Sequence, residues 1–344
     1  MWGMKLGSVV LVGVLIACSG GDDDDATKDT KGKQDTEVAA DPSAGCEKSA
    51  VKSGEEKVTL RTRAEDRWYY RHVPPAHDGR TPVPVVVDIH GYSEGADVHK
   101  QMSMLGPFGD TKGFVTLTPQ GTGPVPLWRT DVASPDVAFV GAMLDDVEET
   151  LCVDQARVYV TGLSNGAMMT STLACTLDDR IAAAAPVAGV SAIGDCEPDR
   201  AVPVVAFHGT ADPFLDYEGG FGPAVANLPS PDGKGNLGDV DSSEEEQASI
   251  DTSASVPDVM AAWAERNGCT AGGEPAETEV AADVTELVYD CPTGRDVELY
   301  RIEDGGHTWP GSELLKGVDM VGKTTFSIDA DEVMWDFFEQ HPLR

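Results

Sequence analysis

Positive charge is scarce in this chain. Its 344 residues carry 25 Lys and Arg against 59 Asp and Glu, a formal net charge of −34. A surface of that sign is repelled by nucleic acid and by anionic membrane, so neither is expected as a partner. Solubility accounts for so much acid, and substrate choice does not follow from it. Cysteine is sparse as well, with seven in all, and no pair has the Cys-x-x-Cys or Cys-x-x-x-Cys spacing of a zinc site, so no metal is expected. The apolar run over 9–17 is too short for a comfortable membrane span. Large apolar residues are almost missing from 19–49, which includes four consecutive aspartates at 22–25. Such a stretch cannot bury enough surface to order itself, so 18–49 reads as a disordered acidic tether.

The short apolar run follows Lys5 and reads as a signal peptide over 1–17. Its end, Leu15-Ile16-Ala17-Cys18, resembles a bacterial lipoprotein signal, which implies lipidation of Cys18. Ser19 stands where an aspartate would hold such a protein at the inner membrane, so an outer-membrane or cell-surface lipoprotein is expected. The alternative is an ordinary cleaved secretory signal. Both place the chain outside the cytoplasm, with a lipidated Cys18 as its one expected membrane contact. Without Cys18 the remaining cysteines, Cys46, Cys152, Cys175, Cys196, Cys269 and Cys291, form an even set that an oxidising compartment can pair. Cys269 with Cys291 leads, because the two bracket one short acidic segment between a helix and a strand. Cys175 with Cys196 is the second candidate.

The body, 50–344, is near the limit of a single core. Strand-like runs occur at 58–63, 68–73, 83–90, 114–118, 157–161, 183–188, 203–208 and 297–302. Helices are expected over 136–151, 256–267 and 329–338, the first opened by Ser134-Pro135 and the last by Asp329 and Glu332 in the capping-box pattern. Two antiparallel-looking strands followed by alternating strands and helices imply an α/β fold with a mostly parallel sheet. Its active site should lie at the strand C-termini.

Gly162-Leu163-Ser164-Asn165-Gly166 sits between a buried-looking strand and a helix, the layout of a nucleophile elbow. The turn lifts a serine Oγ above the sheet edge, and the helix N-terminus beneath offers free N–H groups where an attacked carbonyl would turn negative. The bare pattern arises by chance about 0.2 times in a chain with this much glycine. Indeed a second match exists, Gly91-Tyr92-Ser93-Glu94-Gly95. Ser164 is preferred for three reasons. The residue after Ser93 is Glu94, whose carboxylate would oppose an oxyanion. The strand ending in His90-Gly91 suits the loop that supplies the other oxyanion N–H. Residues 157–161 fall in the middle of the strand order.

A serine nucleophile needs a base and an orienting carboxylate, in the chain order Ser, acid, His. Only His208, His307 and His341 follow Ser164. Asp212 lies in a loop leaving a strand, and His307 in the loop Asp304-Gly305-Gly306-His307-Thr308-Trp309 after another, so Ser164, Asp212 and His307 are the expected triad. Asp216 competes with Asp212, and Asp304 could orient His307 locally. His90 and His208 read as structural histidines beside the sheet edge. Trp128 and Trp309 are candidate substrate-pocket walls, although indoles are ordinarily core or rim.

With those residues in place, the body resembles the polyhydroxybutyrate depolymerase and feruloyl esterase-like family of α/β-hydrolase esterases. The resemblance rests on Asp88-Ile89-His90-Gly91, the stretch 157–169 around Ser164, 185–189, His208-Gly209-Thr210-Ala211-Asp212-Pro213, 217–220, 263–269 and Gly305-Gly306-His307-Thr308-Trp309-Pro310-Gly311. It implies an α/β-hydrolase fold with helices on both faces of the sheet, and nucleophile Ser164, acid Asp212 and base His307. Oxyanion N–H groups would come from Tyr92 and Asn165, without metal or organic cofactor. The implied substrates are polyhydroxyalkanoate esters or oligomers, or feruloyl and other aryl esters of plant cell walls. A serine peptidase would use the same triad, usually beside a propeller domain, and none is evident. A non-catalytic binding lipoprotein on a hydrolase scaffold is the alternative from another class. One departure from the family is an acidic insertion over 222–255, expected as a disordered surface loop rather than a lid.

Overall fold

The computed structural model describes residues 39–48, 51–62, 65–194, 197–239 and 253–343. The expected signal peptide over 1–17 and Cys18, the expected lipidation site, lie outside these residues.

The strands are β1 (Gly54–Arg61), β2 (Asp66–Val73), β3 (Val83–Ile89), β4 (Val115–Pro119), β5 (Val153–Leu163), β6 (Ala183–Val187), β7 (Val204–Gly209), β8 (Ala276–Ala281), β9 (Val284–Val288) and β10 (Val297–Ile302). They form one sheet in the order β1-β2-β4-β3-β5-β6-β7-β10-β9-β8. From β4 to β10 neighbouring strands are parallel, and antiparallel pairs flank them at both ends. Side chains alternate between two cores along the central strands. Val85, Val87, Val158, Val160, Val204 and Ala206 face one core, and Val86, Tyr159, Val205 and Phe207 the other. This is the period-2 pattern of a sheet covered on both faces.

The helices are α1 (Ala96–Ser103), α2 (Leu105–Lys112), α3 (Pro135–Thr150), α4 (Asn165–Thr176), α5 (Val256–Arg266) and α6 (Ala330–Gln340). Phe139 and Met143 of α3, Met169 and Leu173 of α4, and Met260 and Trp263 of α5 fill the first core. Met102, Leu105, Met334, Trp335 and Phe338 of α1, α2 and α6 fill the second. There Phe338 stacks on Tyr159 and Trp335 on Phe114, with centroids 4.5 and 4.6 Å apart. α3 starts as expected, with the Ser134 hydroxyl accepting from the Val137 N–H beside Pro135. Asp329 caps α6 by accepting from the Asp331 N–H, while Glu332 pairs with Lys112 at 2.7 Å instead of closing a capping box.

Three parts depart from the sequence reading. Residues 39–48, expected as part of the disordered tether over 18–49, are folded onto the body. Cys46 is bonded to Cys152, and the Ser43 hydroxyl donates to the Leu151 carbonyl at 2.7 Å. Gly45 lies so close to Leu151 that a Cβ there would stand 1.9 Å from its carbonyl oxygen. The acidic segment between Cys269 and Cys291 contains the β8–β9 hairpin, whose outer strand carries Glu277 and Glu279, charges that suit an unpaired sheet edge. The insertion is ordered over 222–239, with a 3-10 turn at Pro223–Asn227 and a hairpin bridge between Pro229 and Asn236. Its Pro, Gly and Ser content encodes tight turns here. The Ser230 N–H donates to the Gly235 carbonyl, and Gly233 sits at φ 70°.

Cys269 and Cys291 are bonded, as expected. Cys175 is also disulfide-bonded, but Cys196, its expected partner, lies outside the described residues.

Candidate active site

β5 runs into Ser164, which has φ 58° and ψ −120°, and α4 begins at the next residue. A non-glycine residue in that region costs roughly 1–3 kcal/mol, and such strain concentrates at functional sites. The flanking glycines are required by close approach. A Cβ at Gly166 would stand 2.1 Å from the Ile89 carbonyl oxygen, and one at Gly162 2.6 Å from the same atom. β3 therefore presses against the elbow at its last residue. The Ser164 N–H donates to the Val187 carbonyl at 3.0 Å, which ties the turn to β6 as well.

The loop after β3 lies against the elbow, since a Cβ built at Gly91 would be 3.5 Å from the Ser164 Cβ. Tyr92 follows Gly91 directly, and Asn165 is the first residue of α4. The Asn165 side chain is committed elsewhere. Its Oδ1 accepts from the Trp128 N–H at 2.7 Å and its Nδ2 donates to the Trp128 carbonyl at 3.1 Å, so the side chain is tied to the Trp128 backbone. Trp128 is 2% exposed and its indole N–H donates to the His90 carbonyl. The expectation that Trp128 walls a substrate pocket is therefore corrected: its ring is held in the core, bonding His90 and Asn165 together. His90 is also structural, as expected. Its Nδ1 donates to the Gly91 carbonyl at 2.7 Å and its Nε2 accepts from the Gly121 N–H at 2.8 Å. Burial pushes its pKa down to about 4, so it stays neutral.

Sequence reasoning missed one buried charge cluster under this loop. The Glu94 carboxylate accepts from the Gly91 N–H at 2.7 Å, and His99 lies between Glu94 (3.3 Å) and Asp88 (2.7 Å). The Ser103 hydroxyl donates to the other Asp88 oxygen. Burial alone would lower the His99 pKa, but the two carboxylates raise it to about 10. The cation offsets the Glu94 charge that argued against Ser93 as a nucleophile. Ser93, at φ 62°, shapes the loop, and its N–H donates to the Pro126 carbonyl. The only sequence trace of the cluster is the apolar company of Asp88 in β3.

Across the sheet edge, Asp212 follows β7 and His307 follows β10. Asp212 Oδ2 accepts from His307 Nδ1 at 2.7 Å, and its Oδ1 accepts from the Phe214 and Leu215 N–H groups at 2.8 and 3.0 Å. Burial would raise this carboxyl pKa, yet His307, His208 and the backbone donors outweigh it and hold it below the usual range. His208 is fully buried, its pKa lowered by burial, and its Nε2 donates to the Leu215 carbonyl at 2.9 Å. The rival acids stand apart. Asp216 is exposed and accepts from the Glu218 N–H, and Asp304 is exposed at φ 54°. His341 pairs with Asp296 at 2.7 Å.

Trp309 does not wall this cleft either. Its indole N–H donates to Asp331 at 2.9 Å, and its ring packs edge-on against His99. It lines instead a separate cavity of about 590 Å³ with Met102, Leu314 and Asp331. The aromatic beside the His307 ring is Phe214, with centroids 4.9 Å apart.

A serine on a strained strand-to-helix turn, a parallel sheet sandwiched by helices, and a His–Asp pair following later strands define the α/β-hydrolase fold. The solved acetyl xylan esterase from Aspergillus awamori superposes with a TM-score of 0.56 at 15% identity, over 83% of this chain and 100% of that one. In sequence, the chain is 28% identical over 244 residues to feruloyl esterase B of Piromyces equi, covering 68% of this chain and 41% of that protein. It is 26% identical over 298 residues to a putative esterase, NocK, of Nocardia uniformis subsp. tsuyamanensis, covering 81% and 80% of the two. A third match, 31% identical over 132 residues, is to poly(3-hydroxyalkanoate) depolymerase C of Paucimonas lemoignei, covering 35% and 30%. The chain thus spans less than half the length of the first of these relatives. No family model matches it. The resemblance read from the motifs holds: the relatives are carboxylic-ester hydrolases, named for feruloyl esters and for polyhydroxyalkanoate.

Proposed function

We propose that the protein is a serine carboxylic-ester hydrolase working through an acyl-enzyme. His307 Nε2 takes the Ser164 hydroxyl proton as Oγ attacks the ester carbonyl, while Asp212 holds His307 Nδ1–H and steadies the imidazolium that forms. The Tyr92 and Asn165 N–H groups receive the oxyanion. The alcohol departs with the proton from His307, and water, deprotonated by the same imidazole, releases the acid. The substrates are feruloyl or other aryl esters, or polyhydroxyalkanoate esters, in an extracytoplasmic setting. The disulfides support that setting, since such bonds persist where thiols are oxidised.

The observation that carries the reading is the 2.7 Å contact between Asp212 and His307 at the sheet edge where Ser164 occupies its strained turn. The test is hydrolysis of p-nitrophenyl acetate, methyl ferulate and a 3-hydroxybutyrate oligomer by the full chain, with Ser164→Ala and Ser93→Ala beside it. Activity lost only in Ser164→Ala, with fluorophosphonate labelling of Ser164, is the expected result. A folded protein inert on every ester and unlabelled at Ser164 refutes it.

A further inference from the structure

The ordered part of the insertion leaves the chain on one side of the cleft and docks on the other. It departs beside the acid loop, where the Gly222 N–H donates to the Phe214 carbonyl and the Ala224 N–H to the Pro213 carbonyl. Its far end is the Pro229–Asn236 hairpin. There the Pro229 carbonyl accepts from the Tyr92 hydroxyl at 2.8 Å, and a Cβ built at Gly233 would lie 3.8 Å from Pro124 and 3.9 Å from Val125. Tyr92 follows β3, residues 120–128 follow β4, and the acid loop follows β7. In the sheet order β4-β3-β5-β6-β7, the segment therefore crosses the C-terminal ends of β5 and β6. Three strand spacings amount to about 14 Å, and the stretch from Gly222 to Pro229, five residues of 3-10 turn at about 2 Å each and two extended ones at about 3.3 Å, spans about 17 Å. The elbow follows β5, one of the two strands whose ends are crossed. In keeping with a covered cleft, Asp212, His307 and Asn165 are 6%, 7% and 8% exposed. Ser164 keeps partial exposure, so a way in remains.

We propose that residues 222–239 form a fixed bridge over the cleft, latched by the Tyr92 hydroxyl, that admits esters by one end only. The inference rests on the esterase reading and narrows its substrates to soluble monoesters and chain ends. A mid-chain ester in a solid polyester has acyl and alcohol continuations in both directions, and the bridge stands where one of them must lie. Tyr92 thus has two separable parts: a backbone N–H proposed to receive the oxyanion, and a side chain that holds the bridge.

The bridge can be removed at its base. A Cβ built at Gly238 would lie 2.9 Å from the Ala226 Cβ, so two glycines in place of residues 227–237 rejoin the chain without stretching it. The full chain and this shortened one are compared on p-nitrophenyl acetate and on an amorphous poly(3-hydroxybutyrate) film. The expected result is that the full chain turns over the soluble ester and leaves the film intact. Shortening should then raise film erosion at least about tenfold, with kcat/KM on the soluble ester held within about threefold. Film erosion by the full chain, or no gain in a shortened chain that still cleaves the soluble ester, overturns the bridge. A variant-free measurement covers a shortened chain that does not fold. The full chain acting on end-labelled 3-hydroxybutyrate oligomers should release terminal units first, and internal fragments at early times overturn the proposal. Failure of the full chain on every soluble ester instead retires the esterase reading itself.

Discussion

Replacing Asp212 by Asn probes the acid–base pair more sharply than deleting it, because the substitution leaves shape almost untouched. Asp212 Oδ1 accepts from two backbone N–H groups, of Phe214 and Leu215, while Oδ2 faces His307 Nδ1. An asparagine must choose which side receives its NH2. Turned toward the loop, the NH2 leaves two buried N–H donors unpaired, at roughly 1–3 kcal/mol each, about 2–6 kcal/mol together. Turned toward His307, it satisfies every group, provided that His307 presents a bare Nδ1. The second orientation wins, and it puts the histidine's proton on Nε2, where the Ser164 proton must go. Asp212→Asn should therefore melt close to the parent while kcat on p-nitrophenyl acetate falls by about 10³–10⁴. The assay is steady-state hydrolysis with a thermal melt on the same sample. A folded variant retaining more than a tenth of the parental kcat would refute both the tautomer argument and the role given to Asp212.

Gly166→Ala places a methyl 2.1 Å from the Ile89 carbonyl oxygen, a backbone atom that cannot swing aside, so a loss of about 3 kcal/mol or more is expected in denaturant titration. The disulfides should differ in worth. Cys46–Cys152 closes a loop of 106 residues and Cys269–Cys291 one of 22, or about 5 against about 3 kcal/mol from chain entropy, so the Cys46→Ser/Cys152→Ser pair should melt lower than Cys269→Ser/Cys291→Ser. The charged His99 makes an alkaline prediction. Its pKa is raised from the ordinary 6.5 to about 10, so its contribution to stability is complete below pH 6.5 and drains away as pH rises through about 10. Melting temperature should fall over that window, and the slope should flatten in His99→Gln; an unchanged slope refutes the assignment.

The central strands and the elbow were legible because their signals are local. Continuous apolar runs such as Val85-Val86-Val87 announce a strand buried on both faces, and two glycines around a serine announce a backbone approach that only glycine permits. The choice of Ser164 over Ser93 rested on strand order and on the charge of Glu94, and β5 does lie mid-sheet. What was not legible depends on partners far away in sequence. Trp128 and Trp309 looked like pocket walls because they neighbour site motifs, but an indole N–H must find an acceptor when buried, and His90 and Asp331 supply them. The β8–β9 hairpin is poor in apolar residues because it forms an edge, so its strands carried little periodic signal. Residues 39–48 and 222–239 share the composition of disordered chain. The first is held by a bond to a cysteine 106 residues away, and the second by turns whose geometry composition alone does not reveal.

The bond from Cys46 to Cys152 also has a mechanical meaning. Cys152 directly precedes β5, and Ser43 pairs with Val153 at the strand's first residue, whereas Ser164 stands at the strand's far end. At 3.3 Å per residue the eleven residues between set the two ends roughly 35 Å apart. Within the described body, residues 43–46 are therefore held at the end of β5 opposite the serine. Tension applied through the N-terminus would load the start of the central strand through a covalent link and hydrogen bonds to Leu151 and Val153, and would leave the loops around the serine unstressed.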